Sequence, residues 1–125
     1  MTRSYKLVII ASELALQLRR IIHLFPQDEN YLHDIIRDDM FTVVEYVALA
    51  SAGYHPIDQF RFFMRAKKHL ENLRGHTVLC RAANLMSQGQ CKDFDRLYGI
   101  LRAKLIYQIE ALQRAIQNLP PSSMW

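Results

Sequence analysis

Apolar residues recur every three or four positions through most of the chain, in four stretches separated by short segments that contain proline or glycine. This spacing is typical of amphipathic α-helices, because it puts the apolar side chains on one face of each helix. The separating segments contain Phe25-Pro26, Gly53-Tyr54-His55-Pro56, Gly89 and Pro120-Pro121. The pattern therefore predicts four helices, over about residues 4–24, 29–52, 56–86 and 90–118.

The apolar face of each predicted helix supplies the predicted core. Pro56 suits the first turn of the third helix, where a backbone N–H is not needed. Gly75 lies inside that helix and costs about 1 kcal/mol relative to alanine unless close packing requires it. The predicted core residues are Leu7, Ala11, Leu14, Leu18, Ile21, Phe25, Leu32, Ile36, Val43, Val47, Ala50, Phe63, Ala66, Leu70, Leu73, Thr77, Cys80, Phe94, Leu97, Leu101, Leu105, Leu112 and Ile116.

Short links between helices of similar length favour antiparallel neighbours. The sequence therefore predicts an all-α fold, an antiparallel up-down-up-down four-helix bundle. The 125 residues, 50% of them hydrophobic, suffice for one domain over residues 1–119 and leave no room for a second. The remaining residues 120–125 are expected to form a flexible tail.

Apolar runs in the sequence are far shorter than the roughly 20 residues of a membrane span. The basic N-terminus is not followed by an unbroken apolar segment with a small-residue cleavage site. We therefore expect a cytoplasmic protein with no membrane partner. Cys80 and Cys91 lack the spacing of a metal site, so we expect a reduced, structural pair.

The positive charge of the chain is unevenly distributed, although the net charge is +4 and the pI is near 9.3. Residues 1–55 carry five Lys/Arg and seven Asp/Glu, whereas residues 56–104 carry ten and four. The third and fourth predicted helices therefore supply the basic character. An acidic partner of these helices is expected, either a nucleic acid or an acidic protein surface.

Sequence motifs of catalytic sites are missing from the chain. Di-metal centres of four-helix bundles use Glu-x-x-His pairs, but Glu29 precedes His33 by four residues and His69 precedes Glu71 by two. No Gly-rich phosphate loop, G-x-S-x-G or H-E-x-x-H occurs. We expect no catalytic residue, no metal and no cofactor. Surface or cap positions are expected for the five histidines, His23, His33, His55, His69 and His76.

Basic side chains of the third helix form two groups on a helical wheel. One group, Arg61, Arg65 and Lys68, points away from the core. Lys67, Arg74 and Arg81 recur every seven residues beside the core face, where their stems can pack and their charged ends reach outward. Such a stripe can follow a phosphate backbone, and a solvated face is the alternative. The candidate nucleic-acid-binding residues are Arg61, Arg65, Lys67, Lys68, Arg74, Arg81, Arg96, Arg102 and Lys104.

Asp39 differs from the other acidic residues of the second helix, because the wheel puts it near the core edge. An isolated carboxylate is costly in such a position. We therefore predict that Asp39 pairs with a basic residue of the third helix, Arg74 or Lys67.

A second apolar stripe runs along the fourth helix, opposite its core face, and Phe41 lies among acidic residues of the second helix. A row of apolar residues on an outer face more often marks an interface than bare surface. We therefore predict self-association, unless the C-terminal tail covers the stripe. The candidate oligomer-interface residues are Ile9, Leu16, Ile100, Ala103, Tyr107 and Ala111.

Several short segments in a shared order carry a family resemblance: Leu24-Phe25-Pro26, Leu70-Glu71-Asn72-Leu73-Arg74, Leu85-Met86-Ser87 and Gln90-Cys91-Lys92-Asp93-Phe94. With the helix lengths and the basic third and fourth helices, they make the chain resemble the accessory variability determinant proteins of diversity-generating retroelements. The broader family includes proteins encoded in ribosomal-RNA intervening sequences. The resemblance covers about residues 5–113.

The resemblance implies a homopentameric barrel of four-helix bundles that binds the retroelement reverse transcriptase and its template RNA or cDNA. The polymerase chemistry belongs to the partner enzyme. The matching basic positions are Arg74, Arg81 and their basic neighbours. The acidic N-terminal half differs from the family pattern. A protein-interaction scaffold without a nucleic-acid role is the alternative hypothesis.

Overall fold

A computed structural model describes residues 5–121, which form four α-helices and one short 3-10 turn. The helices are α1 (Lys6–Ile22), α2 (Asn30–Ser51), α3 (Pro56–Ala82) and α4 (Gln88–Gln117). The 3-10 turn, Gln27–Glu29, lies between α1 and α2. Because these residues contain no β-strand, the all-helical prediction is confirmed.

The four helices enclose one hydrophobic core. Each of α1 and α3 packs against both α2 and α4. Most of the predicted core residues are buried, whereas Phe25, Leu32, Leu112 and Ile116 are half-buried. Four further apolar residues are buried that the sequence pattern did not include: Ile22, Met40, Met86 and Ile109.

Two core residues carry polar side-chain atoms. The Thr77 hydroxyl donates a hydrogen bond to the Arg74 carbonyl oxygen at 2.9 Å, which satisfies it inside its own helix. Cys80 is a free, fully buried thiol, and burial, with Glu29 and Cys91 nearby, raises its pKa to about 11. Because the thiolate is the reactive form, Cys80 is an inert packing residue at neutral pH.

Helix α3 ends four residues before its predicted end because Asn84 adopts the left-handed conformation, with φ of 58°. The Leu85 N–H donates to the Cys80 carbonyl at 2.8 Å, and the Asn84 N–H donates to the Arg81 carbonyl at 3.1 Å. This pair of bonds defines a Schellman motif, in which asparagine is tolerated at the left-handed position.

Helix α4 begins two residues before its predicted start because Ser87 and Gln90 form a capping box. The Gln90 N–H donates to Ser87 Oγ at 3.1 Å, and the Ser87 N–H donates to Gln90 Oε1 at 2.9 Å. Helix α3 begins at Pro56 as predicted, and the His55 ring accepts a hydrogen bond from the Ile57 N–H at 3.2 Å.

The predicted start of α1 and the predicted C-terminal tail are only partly covered by the described residues. Helix α1 ends at Ile22, before the predicted Leu24, and Ser4 lies outside the described residues. Residues 122–125 of the predicted tail lie outside them as well. None of the helices formed by residues 5–121 combines the length and apolar composition that a membrane span requires.

Two glycines, Gly53 in the α2–α3 link and Gly75 in the middle of α3, differ in whether another residue could replace them. Gly53, just after α2, has φ of 89°, a conformation that other residues adopt only with strain. Gly75 is helical and exposed, and a methyl group added there would meet no atom within 4 Å. Close packing within the chain therefore does not require Gly75.

Gly75→Ala should raise the free energy of unfolding by about 0.5–1 kcal/mol, because alanine loses less backbone entropy in a helix. The matched substitution Gly53→Ala should lower it by about 1 kcal/mol, because alanine is strained at positive φ. Urea unfolding followed by circular dichroism measures both. An unchanged or lower stability of Gly75→Ala contradicts the open surroundings of this glycine.

Candidate nucleic-acid interface

The heptad-spaced cations of α3 lie along its contact with α4. Lys67, Arg74 and Arg81 each follow a fully buried residue, so their side chains emerge at the edge of the core. On α4, Asp95 and Arg102 follow the buried Phe94 and Leu101 in the same way. We name the following set the charged seam: Lys67, Glu71, Arg74, Arg81, Asp95 and Arg102.

Asp95 holds two arginines of α3 at one end of the charged seam. Its Oδ1 accepts a hydrogen bond from Arg81 Nη2 at 2.5 Å and lies 3.2 Å from Arg74 Nη1, which is outside hydrogen-bond geometry. The hydrogen bond from Arg81 holds the pKa of the Asp95 carboxyl below its ordinary value, and the carboxylate raises the pKa of Arg81. Both groups are therefore charged at neutral pH.

Glu71 joins α3 to α4 at the other end of the charged seam. One carboxylate oxygen, Oε1, lies 3.5 Å from Lys67 Nζ one helical turn away. The other, Oε2, accepts from Arg102 Nη2 at 3.2 Å across the helix contact. Each carboxylate of the charged seam thus contacts two cations.

The charged seam is consequently not neutral, because four cations share two carboxylates. The cationic side chains are 27–40% exposed, although Arg74 Nη1 and Arg81 Nε are themselves buried. The half-buried side chains agree with the predicted position of Lys67, Arg74 and Arg81 beside the core. Their contact with Glu71 and Asp95 was not anticipated.

The other candidate cations are more exposed. Arg61, Lys68, Arg96 and Lys104 have exposed side chains and form no ion pair within residues 5–121. Arg65 is partly engaged, since its guanidinium lies 5.6 Å from the centre of the Tyr46 ring and donates to the Tyr46 hydroxyl at 3.3 Å. Nucleic-acid binding by the nine candidate residues stays a prediction.

The predicted pairing of Asp39 with Arg74 or Lys67 is wrong. Its carboxylate lies between two histidines of α3, with Oδ1 2.9 Å from His69 Nδ1 and Oδ2 3.1 Å from His76 Nδ1. Only the His69 contact has hydrogen-bond geometry. Arg74 instead contacts Asp95 of α4, and Lys67 contacts Glu71 of its own helix.

The histidines divide between the expected surface positions and half-buried ones. His23 and His55 are exposed, and His55 caps α3. His69 and His76 are half-buried because they contact Asp39, and His33 is half-buried with Nδ1 3.0 Å from Asp34. No group of three or more His, Cys, Asp or Glu residues in the described part of the chain has metal-binding geometry.

The predicted second apolar stripe lies mainly at the surface. Tyr107 and Ile9 are 66% and 56% exposed, Leu16 and Ile100 are 47% and 39% exposed, and Ala103 is also exposed. Ala111 is half-buried. A role of these residues in an oligomer interface stays a prediction.

No protein-family model matches the chain, and no curated protein is significantly similar to it.

The lowered pKa of Asp95 predicts a pH-dependent contribution to stability. Since the folded-state pKa lies below the unfolded one, the stabilisation is complete above about pH 5 and is lost as the pH falls through the folded-state pKa. Asp95→Asn should therefore lower the free energy of unfolding near pH 7 by no more than about 1 kcal/mol, since the pair is half-exposed. The difference from the parent protein should shrink towards about pH 3.

Urea unfolding across a pH series measures this difference. Asp93→Asn is the matched control, because Asp93 is exposed and forms no ion pair within residues 5–121. A loss of stability in Asp95→Asn that is equal at pH 3 and pH 7 would show that the ion pair is not its source.

Proposed function

We propose that this chain is a non-enzymatic accessory subunit of a diversity-generating retroelement. In this role it holds RNA or cDNA together with a reverse transcriptase in the cytoplasm and supports mutagenic reverse transcription. The nucleic-acid part of the proposal rests on one observation, the charged seam in which four cations share two carboxylates. The retroelement and its polymerase enter through the sequence resemblance alone.

Binding at the charged seam would be electrostatic. A phosphate near Arg74 and Arg81 can compete with Asp95 for their charged groups, and each neutralised phosphate releases bound counterions. The exposed cations of α3 and α4 would add contacts to neighbouring phosphates. Because these groups recognise charge and not base edges, the proposed binding has little sequence specificity.

An up-down-up-down arrangement is part of the proposal. Between α2 and α3, the early Gln59 of α3 donates to the late Ala50 carbonyl of α2 at 3.0 Å. The later His76 of α3 lies beside the earlier Asp39 of α2. Between α3 and α4, Arg81 meets Asp95 while the earlier Glu71 meets the later Arg102. These pairings support antiparallel neighbours.

Self-association into a homo-oligomeric barrel, as a homopentamer, is also proposed. Leu16 of α1 lines one cavity together with Gln90 and Asp93 at the start of α4. If α1 and α4 are antiparallel, Ile9 comes close to Ile100, so the apolar residues of the two helices join into one surface. A ring of subunits would multiply weak RNA contacts through effective concentration.

Fluorescence anisotropy with a labelled single-stranded RNA over a salt series tests RNA binding. We expect affinity to fall steeply with salt, and the double variant Arg74→Ala/Arg81→Ala to flatten the logarithmic salt slope by about 1 or more. Asp95→Asn should increase the affinity, because it frees both arginines. The charge-matched control Lys6→Ala/Arg114→Ala removes two exposed cations outside the candidate site and should change little.

Absence of binding at low salt rejects the nucleic-acid role. In that case a protein-interaction scaffold without a nucleic-acid role is favoured. The carboxylates that hold the arginines would then serve only to fix the packing of α3 against α4. Weaker RNA binding by Asp95→Asn would also contradict the proposal, because it predicts competition between this carboxylate and phosphate.

Light scattering after size-exclusion chromatography tests self-association. The chain has a mass of 14.7 kDa, so a pentamer should appear near five times this value. Ile100→Glu/Tyr107→Glu should reduce the mass towards that of the monomer, because charges would be buried in an apolar interface. Val78→Glu/Leu79→Glu, which changes exposed apolar residues of α3 outside the stripe, serves as the control. A monomeric parent protein at micromolar concentration rejects the barrel.

A further inference from the structure

A groove of about 910 Å³ runs along the outer side of the contact between α1 and α2. Its walls extend from Ser12 to Leu24 on one side and from His33 to Val44 on the other. At 1.5 Å per residue, these walls are about 17 Å long, which is the length of three helical turns. The groove is separate from the charged seam, which lies between α3 and α4.

The interior of the groove is apolar. Ala15 and Ile22 of α1 and Met40 and Val44 of α2 line it. Three large apolar side chains also line it without being covered by the chain: Leu16, Leu24 and Phe41, which are 47%, 75% and 67% exposed. Exposed apolar residues that face one another across a groove are typical of a binding surface.

The charged residues that line the groove are all basic, although this half of the chain is acidic. Arg19, Arg20 and Arg37 line it, and no aspartate or glutamate does. Arg37 contacts Asp34 at 3.4 Å and Asp38 at 3.2 Å, so two carboxylates outweigh one guanidinium at the α2 side of the groove. Arg19 and Arg20 are exposed and form no ion pair within residues 5–121, so the surplus positive charge of the groove lies on its α1 side.

We propose that this groove docks an amphipathic helix of a partner protein, whose apolar face is flanked by acidic residues. The apolar lining fits leucine-like anchors at i, i+3 and i+7, which lie on one face within the available length. Arg19 and Arg20 provide charges opposite to those of the flanking carboxylates. Nucleic acid fits the groove less well, because its charged phosphates would face a mainly apolar surface.

Self-docking is a poorer match in charge. Helix α4 carries the other exposed apolar stripe, and the exposed charged residues within four positions of it are Arg96, Lys104 and Arg114 with a single carboxylate, Glu110. This inference does not depend on RNA binding at α3 and α4. It goes beyond the proposed function by assigning a partner to this groove, which shares only Leu16 with the candidate oligomer-interface residues.

Fluorescence anisotropy with the full chain and a designed peptide probe tests the proposal. The labelled peptide is a four-turn helix with leucines on one face and glutamates beside them, and its twin carries lysines in place of the glutamates. We expect the acidic peptide to bind at micromolar concentration and its lysine twin to bind at least about tenfold more weakly.

Two substitutions locate the binding on the groove. Phe41→Ser and Arg20→Glu should each weaken binding of the acidic peptide at least about tenfold. Tyr31→Ser changes an exposed aromatic residue of α2 outside the groove, and Lys6→Glu reverses an exposed charge of α1 outside it, so both should bind the peptide like the parent chain. Since Phe41 and Arg20 are exposed, the variants should keep the parent circular dichroism spectrum.

Four results overturn the proposal. The first is that neither peptide binds, and the second is that both bind equally, which would remove the charge argument. A fall in oligomer mass on Phe41→Ser would show that the groove is an interface between copies. A tenfold loss of single-stranded RNA affinity on Phe41→Ser, with RNA binding insensitive to Arg74→Ala/Arg81→Ala, would show that the groove takes nucleic acid and would reject the charged-seam site as well.

Discussion

The continuous apolar surface along the inner face of the four helices is the interaction on which the rest of this structure depends. An α-helix satisfies its own backbone hydrogen bonds, so helices join one another only through side chains. Residues such as Leu70 and Leu101 are fully buried because each has neighbours on facing helices. The charged seam lies directly beside this surface, so the packing of the core sets the distances between Asp95 and its arginines.

The fold was largely predictable because the residues that are buried in the core are apolar and recur with the period of a helix. The apolar spacing identified the four helices, and Pro56 fixed the start of α3. The bounds that differed depend on single turns. Asn84 ends α3 by adopting a positive φ, which periodicity does not register. The capping box at Ser87 and Gln90 was visible in the sequence as Ser-x-x-Gln and would have given the start of α4.

The candidate site was less predictable, since the sequence gives the position of a charge on one helix but not its partner on another. The heptad spacing placed Arg74 and Arg81 at the edge of the core, yet both contact Asp95, 21 and 14 residues away. A signal existed, because Asp95 follows a buried residue just as the arginines do. For Asp39, the sequence indicated the correct partner helix, α3, but not the correct partner residues. The basic side chains of α3 turn towards α4, and its histidines turn towards α2.

The turn between α3 and α4 also bears on the order in which the chain folds. The stop signal at Asn84 and the start signal at Ser87 are three positions apart and use only local hydrogen bonds. Contacts between the two longest helices therefore close a short loop, at a small entropic cost. Contact between α1 and α4 instead must enclose both α2 and α3, which makes a much longer loop. The α1–α2 and α2–α3 links are short as well, so we expect each pair of consecutive helices to meet before α1 reaches α4. The groove between α1 and α2 and the charged seam between α3 and α4 each belong to one such pair, so both can form before the bundle closes.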